Sequence, residues 1–96
     1  MSVQIIVEMR VKPEAFEDVA GGLKQNLPET RKFPGCEDVH AYRVDGEKGL
    51  IVLVERWASK QDYEKYLAWR QSSGIMDQMG SIMVQMPQVR YLELID

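Results

Sequence analysis

The chain of 96 residues is long enough for one domain and too short for two of ordinary size. Its 45% hydrophobic and 28% charged residues are typical of a soluble globular protein and exclude a disordered or membrane-spanning chain. The net charge of −3, without a cluster of Lys and Arg, argues against nucleic-acid binding. We therefore expect a single domain over residues 1–96, in the cytoplasm because no signal peptide or membrane span is recognisable.

The first elements in the chain are a strand and a helix. Between Val3 and Val11 apolar and polar side chains alternate, which predicts a strand with one buried face. Pro13 suits the first turn of a helix. The apolar stripe of this helix consists of Phe16, Val19, Ala20, Leu23 and Leu27. Pro28 is expected to end or kink the helix before Thr30, because proline lacks an amide donor.

A hairpin is predicted next. The Phe-Pro-Gly turn at residues 33–35 precedes a second strand from Val39 to Val44. Residues 45–49 contain two glycines and form a loop, so the second and third strands are expected to pair antiparallel.

The third strand is the element around which the rest of the chain is organised. Residues 50–57 read Leu-Ile-Val-Leu-Val-Glu-Arg-Trp, and this β-branched run favours a strand that is buried on both faces. Alternation places four side chains on one face: Ile51, Leu53, Glu55 and Trp57. Ser59 is the expected N-cap of a second helix, and Asp62 adds a carboxylate to its first turn.

The last third of the chain predicts a helix, a Met-rich segment and a strand. The second helix carries Tyr63, Tyr66, Leu67 and Arg70 on one stripe, with Trp69 beside it. A short helix before Pro87 is predicted from Ile75, Met76, Met79, Ile82, Met83 and Met86. A fourth strand is predicted from Val89 to Ile95. The order β-α-β-β-α-β predicts an α+β, ferredoxin-like fold with both helices on one face of an antiparallel sheet.

The other face of this sheet is expected to stay partly apolar. Ile6, Val54 and Leu92 are among the side chains that no helix would cover. Soluble monomers rarely expose a contiguous apolar patch of this kind. We therefore predict a homodimer in which the two sheets meet face to face.

Several local patterns together resemble one family. They are Ile-Val-Glu-Met-Arg-Val-Lys-Pro at 6–13, Thr-Arg at 30–31, Pro-Gly-Cys at 34–36, and Val-Glu-Arg-Trp at 54–57 before a helix that bears tyrosines. With Pro87 and residues 89–92, they resemble the antibiotic biosynthesis monooxygenase (ABM) domain family over nearly the whole chain. The resemblance implies a dimeric α+β barrel built from two ferredoxin-like protomers, each with a pocket between sheet and helices.

The resemblance also implies an activity. The best understood ABM members oxidise phenols or hydroquinones to quinones with O2 and use neither a metal nor a flavin. Trp57 matches a pocket-lining tryptophan of the family, and Tyr63 matches a tyrosine that binds substrate. Those members use an asparagine four residues before the tryptophan, where this chain has Leu53. Haem-degrading relatives use a second-helix histidine and a first-strand asparagine; here that helix has no histidine and the strand has Met9, which disfavours haem degradation.

Glu55 and Trp57 are the first candidate catalytic residues. The indole could form the wall of a pocket whose floor is the carboxylate, and burial there would raise the pKa of Glu55 and suit it to act as a general base. The alternatives are a structural tryptophan and an ion pair from Glu55 to Arg10 or Arg43.

His40 is the second candidate base, because its unperturbed pKa lies near neutrality. It could deprotonate a phenol if its strand face points to the helices, and it is an interface residue if that face points to a second protomer. One histidine cannot form a metal site, and Cys36 is the only cysteine, so neither a metal nor another cofactor is expected.

The second helix supplies most of the candidate substrate-binding residues. Its aromatic side chains and Arg70 could stack on a flat ring and donate hydrogen bonds, or they could be core packing. Met76 and its neighbouring methionines could form an adaptable lid, or they could fill the core or a dimer contact. The substrate-binding candidates are Leu53, Tyr66, Trp69, Arg70 and Met76.

Two functions fit these residues. The first is a cofactor-independent monooxygenase that oxidises a small phenolic aromatic with O2, with His40, Glu55 or a water held by Tyr63 as the base. The second is a non-oxidative dimer that binds a small ligand or isomerises a small carbonyl compound, which Leu53 favours. The expected partners are a second copy of the chain, a small aromatic molecule and O2, without nucleic acid or membrane.

Overall fold

The computed structural model describes residues 2–72 and 82–96. These residues form a four-stranded antiparallel sheet in the order β2-β3-β1-β4, together with two helices. The elements are β1 (Val3–Arg10), α1 (Phe16–Arg31), β2 (Cys36–Arg43), β3 (Leu50–Trp57), α2 (Lys60–Ser72) and β4 (Gln88–Leu92). The predicted ferredoxin-like order is confirmed. Within these residues neither helix has the length and apolar content that a membrane crossing requires.

The sheet register decides which side chains meet the helices. Directly opposite residues of antiparallel strands share a face, and β1 places Val3 opposite Trp57 and Ile5 opposite Glu55. This face carries the core against α1 and α2. The buried core residues are Ile5, Val7, Met9, Val11, Val19, Ile51, Trp57 and Tyr63.

The other face of the sheet has no helix over it among the described residues. The register places Ile6 opposite Val54 on this face, and His40 lies on the other side of Val54. Tyr42 lies opposite Val52, and its side chain is exposed. The apolar row that the sequence predicted is therefore present, and no helix covers it in the part of the chain that the structure describes.

The first helix continues past its proline. Pro13 begins a short 3₁₀ turn, and α1 then runs through Pro28 to Arg31. Pro28 was expected either to end or to kink the helix, and the helix does not end there. The last turn is held from outside the helix, because Thr30 is buried and Arg31 donates through Nε (3.2 Å) and Nη2 (3.1 Å) to the Val39 carbonyl.

The predicted hairpin is present with shifted ends. β2 begins at Cys36 rather than Val39, and it pairs antiparallel with β3 as expected. The preceding turn contains Gly35 at φ 92°, where a Cβ would lie 2.5 Å from the Asp62 Cβ. Glycine therefore lets this turn pack directly against the start of α2.

The second helix begins as predicted. The Ser59 hydroxyl accepts a hydrogen bond from the Asp62 amide at 3.1 Å, which confirms Ser59 as the N-cap. Because β3 ends at Trp57, this cap starts α2 immediately after the strand. The side chains of Tyr63 and Tyr66 are thereby brought over the Glu55 and Trp57 end of β3.

The Met-rich helix predicted over residues 75–86 falls largely on residues 73–81, which lie outside the described residues. Residues 82–86 are not helical. Met83 forms an isolated β-bridge with Val11, and the Lys12 amide donates to the Ile82 carbonyl at 2.9 Å. This segment is therefore extended beside the end of β1.

The fourth strand is shorter than predicted. β4 ends at Leu92, and the expected continuation to Ile95 is not observed. Leu94 and Ile95 are exposed and have no strand partner in the described part of the chain. Without a neighbouring strand to pair with, their β-propensity alone does not make them part of the sheet.

Candidate functional site

A cavity of about 600 Å³ lies between the sheet and the helices. This volume is in the range of small-molecule pockets. Its apolar wall comes from both layers and includes Val7, Leu23, Leu27, Leu53, Ile82 and Val89. The polar side chains at its wall come from β3, α1 and α2.

Glu55 is the buried carboxylate of this cavity; Asp18 also lies at the wall but is exposed. Glu55 lies on the helix-facing side of β3 and is 3% exposed. Its Oε1 accepts a hydrogen bond from the Trp57 indole Nε1 at 3.0 Å. Burial raises the pKa of Glu55, and this hydrogen bond opposes the rise because it favours the charged form. The arrangement is that of a desolvated base with one fixed donor.

The alternative of an ion pair at Glu55 is not observed. Arg10 donates to Glu47 at 3.1 Å, and Arg43 donates to Glu17 at 3.5 Å. Both pairs are exposed at the surface. The carboxylate of Glu55 is therefore stabilised by the neutral indole of Trp57 and not by either of the arginines considered.

Trp57 lies behind Glu55 and is fully buried. It is not among the described residues that line the cavity. Its ring packs against Tyr63 and Tyr66 at centroid distances of 5.6 and 5.1 Å. The Trp57 indole therefore orients the Glu55 carboxylate from behind. It does not form the cavity wall that the sequence suggested for it.

Tyr63 lines the cavity and is almost fully buried. Burial and then the nearby Glu55 charge raise the pKa of its phenol well above the usual range. Tyr63 therefore stays protonated at neutral pH and can serve only as a hydrogen-bond donor or acceptor, not as a base. The sequence predicted that Trp57 and Tyr63 both line the cavity; Tyr63 lines it together with Glu55, whereas Trp57 does not.

Tyr66 and Arg70 also line the cavity, as predicted for substrate-binding residues. Arg70 Nε donates to the Tyr66 hydroxyl at 2.9 Å, and Arg70 Nη2 donates to Thr30 Oγ1 at 2.9 Å. Trp69 is not at the cavity wall; its ring supports the Arg70 guanidinium at 4.6 Å. The helical stripe therefore divides into residues that contact the cavity and one that supports them.

The three remaining candidates are Leu53, Met76 and His40. Leu53 lines the cavity, and Met76 lies outside the described residues. His40 is on the open face of the sheet, where its Nε2 lies 2.9 Å from Asp38 Oδ1 and 53% of its side chain is exposed. The face of His40 points away from the helices, so the sheet separates His40 from Glu55.

Sequence reasoning missed Thr30 and Asn26, which contribute polar atoms to the cavity wall. Thr30 is buried, and its hydroxyl lies 2.9 Å from the Tyr66 hydroxyl. The signal was hidden by Pro28, because a helix expected to end or kink before Thr30 gives that residue no defined direction. Over residues 2–72 and 82–96 no group of three His, Cys, Asp or Glu side chains is arranged to hold a metal.

The sequence and the fold have counterparts among known proteins. The sequence profile of the family described as antibiotic biosynthesis monooxygenase matches residues 2–77. The chain belongs to the ABM family. Membership suggests a monooxygenase or a small-molecule-binding role for this ABM protein. No curated protein matches the chain significantly.

Solved structures show the same ABM fold. A crystal structure of an antibiotic biosynthesis monooxygenase aligns with a TM-score of 0.87 at 18% identity over 98% of this chain and 99% of that chain. Rv0793 from Mycobacterium tuberculosis aligns with a TM-score of 0.84 at 22% sequence identity, over 100% of this chain and 97% of that chain. A protein from Bordetella bronchiseptica, described as a putative antibiotic biosynthesis monooxygenase, aligns with a TM-score of 0.78 at 23% sequence identity, over 98% of this chain and 97% of that chain. At these identities the similarity establishes the fold alone.

Proposed function

We propose that this protein is a cofactor-independent monooxygenase that oxidises a small phenolic or hydroquinone-type aromatic with O2. The observation that carries the proposal is the buried Glu55 carboxylate, fixed by Trp57 at the wall of a largely apolar cavity. A desolvated carboxylate with a raised pKa is suited to accept a phenolic proton near neutral pH. The family match supports the reaction class.

In the proposed reaction Glu55 accepts the phenolic proton, and the electron-rich phenolate reduces O2 directly. One oxygen atom forms the new ring carbonyl. The other leaves as water with the phenolic hydrogen and the hydrogen displaced from the ring carbon. The substrate thus loses two hydrogens, gains one oxygen and supplies all four electrons. The apolar wall, which includes Leu53, limits the access of water to the intermediate.

The neighbouring donors have separate roles in this proposal. Tyr63 is buried beside Glu55 and remains protonated, so it can donate to a developing oxyanion. Tyr66 holds the aromatic ring, and Arg70 adds positive charge at the same wall. Trp57 acts through Glu55 and does not touch the substrate.

The test is an isotope experiment with a panel of phenols and hydroquinones under 18O2. The proposal expects quinone products that carry one 18O atom, and oxygen consumption that Trp57→Phe lowers. A panel that gives no oxygen consumption with either protein contradicts the monooxygenase. Consumption with release of peroxide and no 18O in the product also contradicts oxygen insertion.

The second candidate is a non-oxidative function, either ligand binding or isomerisation of a small carbonyl compound. The observation in its favour is Leu53, which makes the cavity wall apolar at the place where quinone-forming relatives are expected to have an amide. Glu55 alone could move a proton next to a carbonyl without O2. Thermal stabilisation by flat aromatics without turnover, or solvent deuterium entering a ketone without oxygen consumption, would favour this second function.

We also propose a homodimer formed by the open faces of two sheets. Support comes from the uncovered apolar row with Ile6, Val52 and Val54 and from the exposed Tyr42 beside it. Analytical ultracentrifugation is expected to give twice the chain mass of 11.1 kDa at micromolar concentration. A mass of one chain contradicts the dimer, and Val54→Glu is expected to produce that mass from a dimeric parent.

A further inference from the structure

A second cavity, the edge groove, lies between α1 and the edge strand β2. Its volume is about 420 Å³, which is within the range of small-molecule sites. β2 is the first strand in the sheet order, so the groove opens beside a strand edge that pairs with no other strand of the described residues. The apolar floor of the groove consists of Phe16, Ala20, Leu23, Leu27, Ala41 and Ile51.

The edge groove is separate from the cavity that contains Glu55. Leu23 and Leu27 line both spaces and form a wall common to the two. Ala41 and Ile51 line only the edge groove, and Glu55 lines only the other cavity. A ligand in the edge groove would therefore contact other side chains than the proposed phenolic substrate does.

Basic side chains outnumber acidic ones around the edge groove. Lys24, Arg31 and Arg43 line it, and Glu17 is the acidic residue among the described residues at its wall. Arg43 donates to Glu17 at 3.5 Å, so these two charges offset each other. Lys24 and Arg31 then leave an excess of positive charge on a chain whose net charge is −3. The charge of the groove is therefore complementary to an anion.

The two remaining cations can both donate to a ligand. Arg31 donates through Nε (3.2 Å) and Nη2 (3.1 Å) to the Val39 carbonyl, which is a neutral partner. These bonds orient the guanidinium and do not use Nη1. Among the described residues no carboxylate forms an ion pair with Lys24. Because the Arg31 side chain is already held, binding an anion there costs less conformational entropy than binding to a free side chain.

We propose that the edge groove binds a carboxylate with a linear apolar tail, such as a medium-chain fatty acid. The carboxylate accepts hydrogen bonds from Lys24 and Arg31, and the tail lies along α1 toward Phe16. The rise of an α-helix separates Phe16 from Lys24 by about 12 Å, which suits an extended alkyl chain of medium length. The tail covers the apolar floor, which an inorganic anion would leave in contact with water. This site is independent of the proposed monooxygenase reaction.

The test titrates three probes with the same alkyl chain into 15N-labelled protein and follows the amide resonances by NMR. Octanoate has the carboxylate, 1-octanol has no charge, and octylammonium has the opposite charge. Octanoate is expected to bind about fivefold tighter than 1-octanol, as for a favourable exposed ion pair, and octylammonium more weakly than either. The amides of Gly21 and Ala41 are expected to shift, and those of Val7 and Val89, which line only the Glu55 cavity, are expected to stay constant.

A charge-reversal variant tests the proposed contact with the carboxylate. Lys24→Glu is expected to lower the ratio of octanoate to 1-octanol affinity to about one or below. Lys24 is exposed, so the substitution is expected to preserve the fold. Lys65→Glu is the matched control, because it changes the net charge equally at an exposed position of α2 away from the groove. This control is expected to keep the wild-type ratio.

Several results would overturn the proposal. Equal binding of octanoate and 1-octanol, or an unchanged ratio in Lys24→Glu, would remove the carboxylate from the recognition. Octanoate shifts confined to Val7 and Val89 would place the ligand in the Glu55 cavity. Absence of octanoate binding also overturns the proposal. If Gly21 and Ala41 then shift with protein concentration alone, a second copy of the chain covers the groove.

Discussion

On the helix-covered face of the sheet, Glu55 is buried and hydrogen-bonded to Trp57; on the open face, His40 is half exposed and paired with Asp38. The two side chains belong to neighbouring strands. Val39 lies opposite Glu55, and the next residue, His40, lies opposite Val54. One step along a strand reverses the face, so two residues that are close in the sheet have opposite environments.

In the proposed reaction the environment of a side chain, and not its ordinary pKa, selects the base. Histidine normally titrates near neutrality, yet His40 is directed away from the cavity. Glu55 is an ordinary carboxylic acid, but burial raises its pKa and the cavity gives a substrate access to it. A search of the sequence for a side chain that titrates near neutrality would therefore choose a residue on the face of the sheet opposite the cavity.

The largest expected effect comes from Glu55→Gln. The amide can still accept the hydrogen bond from Trp57 but cannot accept a substrate proton, so turnover is expected to fall about a hundredfold to ten-thousandfold. Steady-state oxygen consumption with the best phenol measures this change. Glu64→Gln, an exposed carboxylate on α2, is the matched control and is expected to keep wild-type turnover. Equal activity of both variants would remove Glu55 from the reaction.

The second prediction concerns Trp57→Phe. The indole hydrogen bond lowers the pKa of Glu55, so its loss raises that pKa further and shifts the acidic limb of the kcat/KM profile to higher pH. We expect a fall of about tenfold at neutral pH, partly recovered at higher pH. Trp69→Phe serves as the control because Trp69 contacts Arg70 and not Glu55. An unshifted profile in Trp57→Phe would show that the indole does not tune the carboxylate.

The third prediction concerns stability and follows from the same raised pKa. The folded protein holds the Glu55 proton to higher pH than the unfolded chain, whose glutamates titrate at about 4.3. The contribution of Glu55 to the free energy of unfolding is therefore complete below that pH and is lost as pH rises through the folded pKa. Glutamine does not titrate, so Glu55→Gln is expected to avoid this loss of stability with rising pH. The variant is therefore expected to be more stable than wild type at neutral pH.

Urea unfolding between about pH 4 and neutral pH measures how the free energy of unfolding of the two proteins changes with pH. The difference between Glu55→Gln and wild type should grow as pH rises, whereas Glu64→Gln should follow the wild-type curve. A difference that does not change with pH would mean that the folded and unfolded pKa values of Glu55 are alike.

The smallest expected effect on turnover comes from His40→Ala. The substitution removes an exposed pair with Asp38 on the open face, so turnover should stay within about twofold of wild type and stability within about 0.5 kcal/mol. Dimerisation should weaken if the open face is the interface. A large loss of turnover with unchanged association would place His40 in the reaction and reverse the comparison of the two faces.

Much of the fold follows from local patterns in the sequence. Alternation in β1, the β-branched run of β3 and the Ser59 cap determine strand faces and the start of α2, and the structure has all three. The errors concern places where tertiary contacts override local preference. Pro28 stays inside α1 because buried contacts hold the last turn, and β4 stops at Leu92 because the residues beyond it have no strand partner.

The site was predictable to a smaller extent. Strand alternation and helical spacing identify Glu55 and Tyr63 as residues that face the interior, which is where both line the cavity. The contact between the Thr30 and Tyr66 hydroxyls was not visible, because Thr30 meets Tyr66 only after α1 and α2 are both packed on the sheet. The position of Trp57 behind Glu55 likewise depends on side-chain directions that a one-dimensional pattern does not contain.

The proline inside α1 has a further consequence for ligand binding. Pro28 removes one amide donor from the helix, so the last turn depends on Thr30 and Arg31 and on their contacts with Tyr66 and Val39. A turn held this way opens at a lower free-energy cost than the middle of the helix. Amide hydrogen–deuterium exchange at residues 29–31 therefore reports cavity occupancy, and a ligand bound at Tyr66 should slow it while exchange at Tyr42, which does not line the cavity, stays constant.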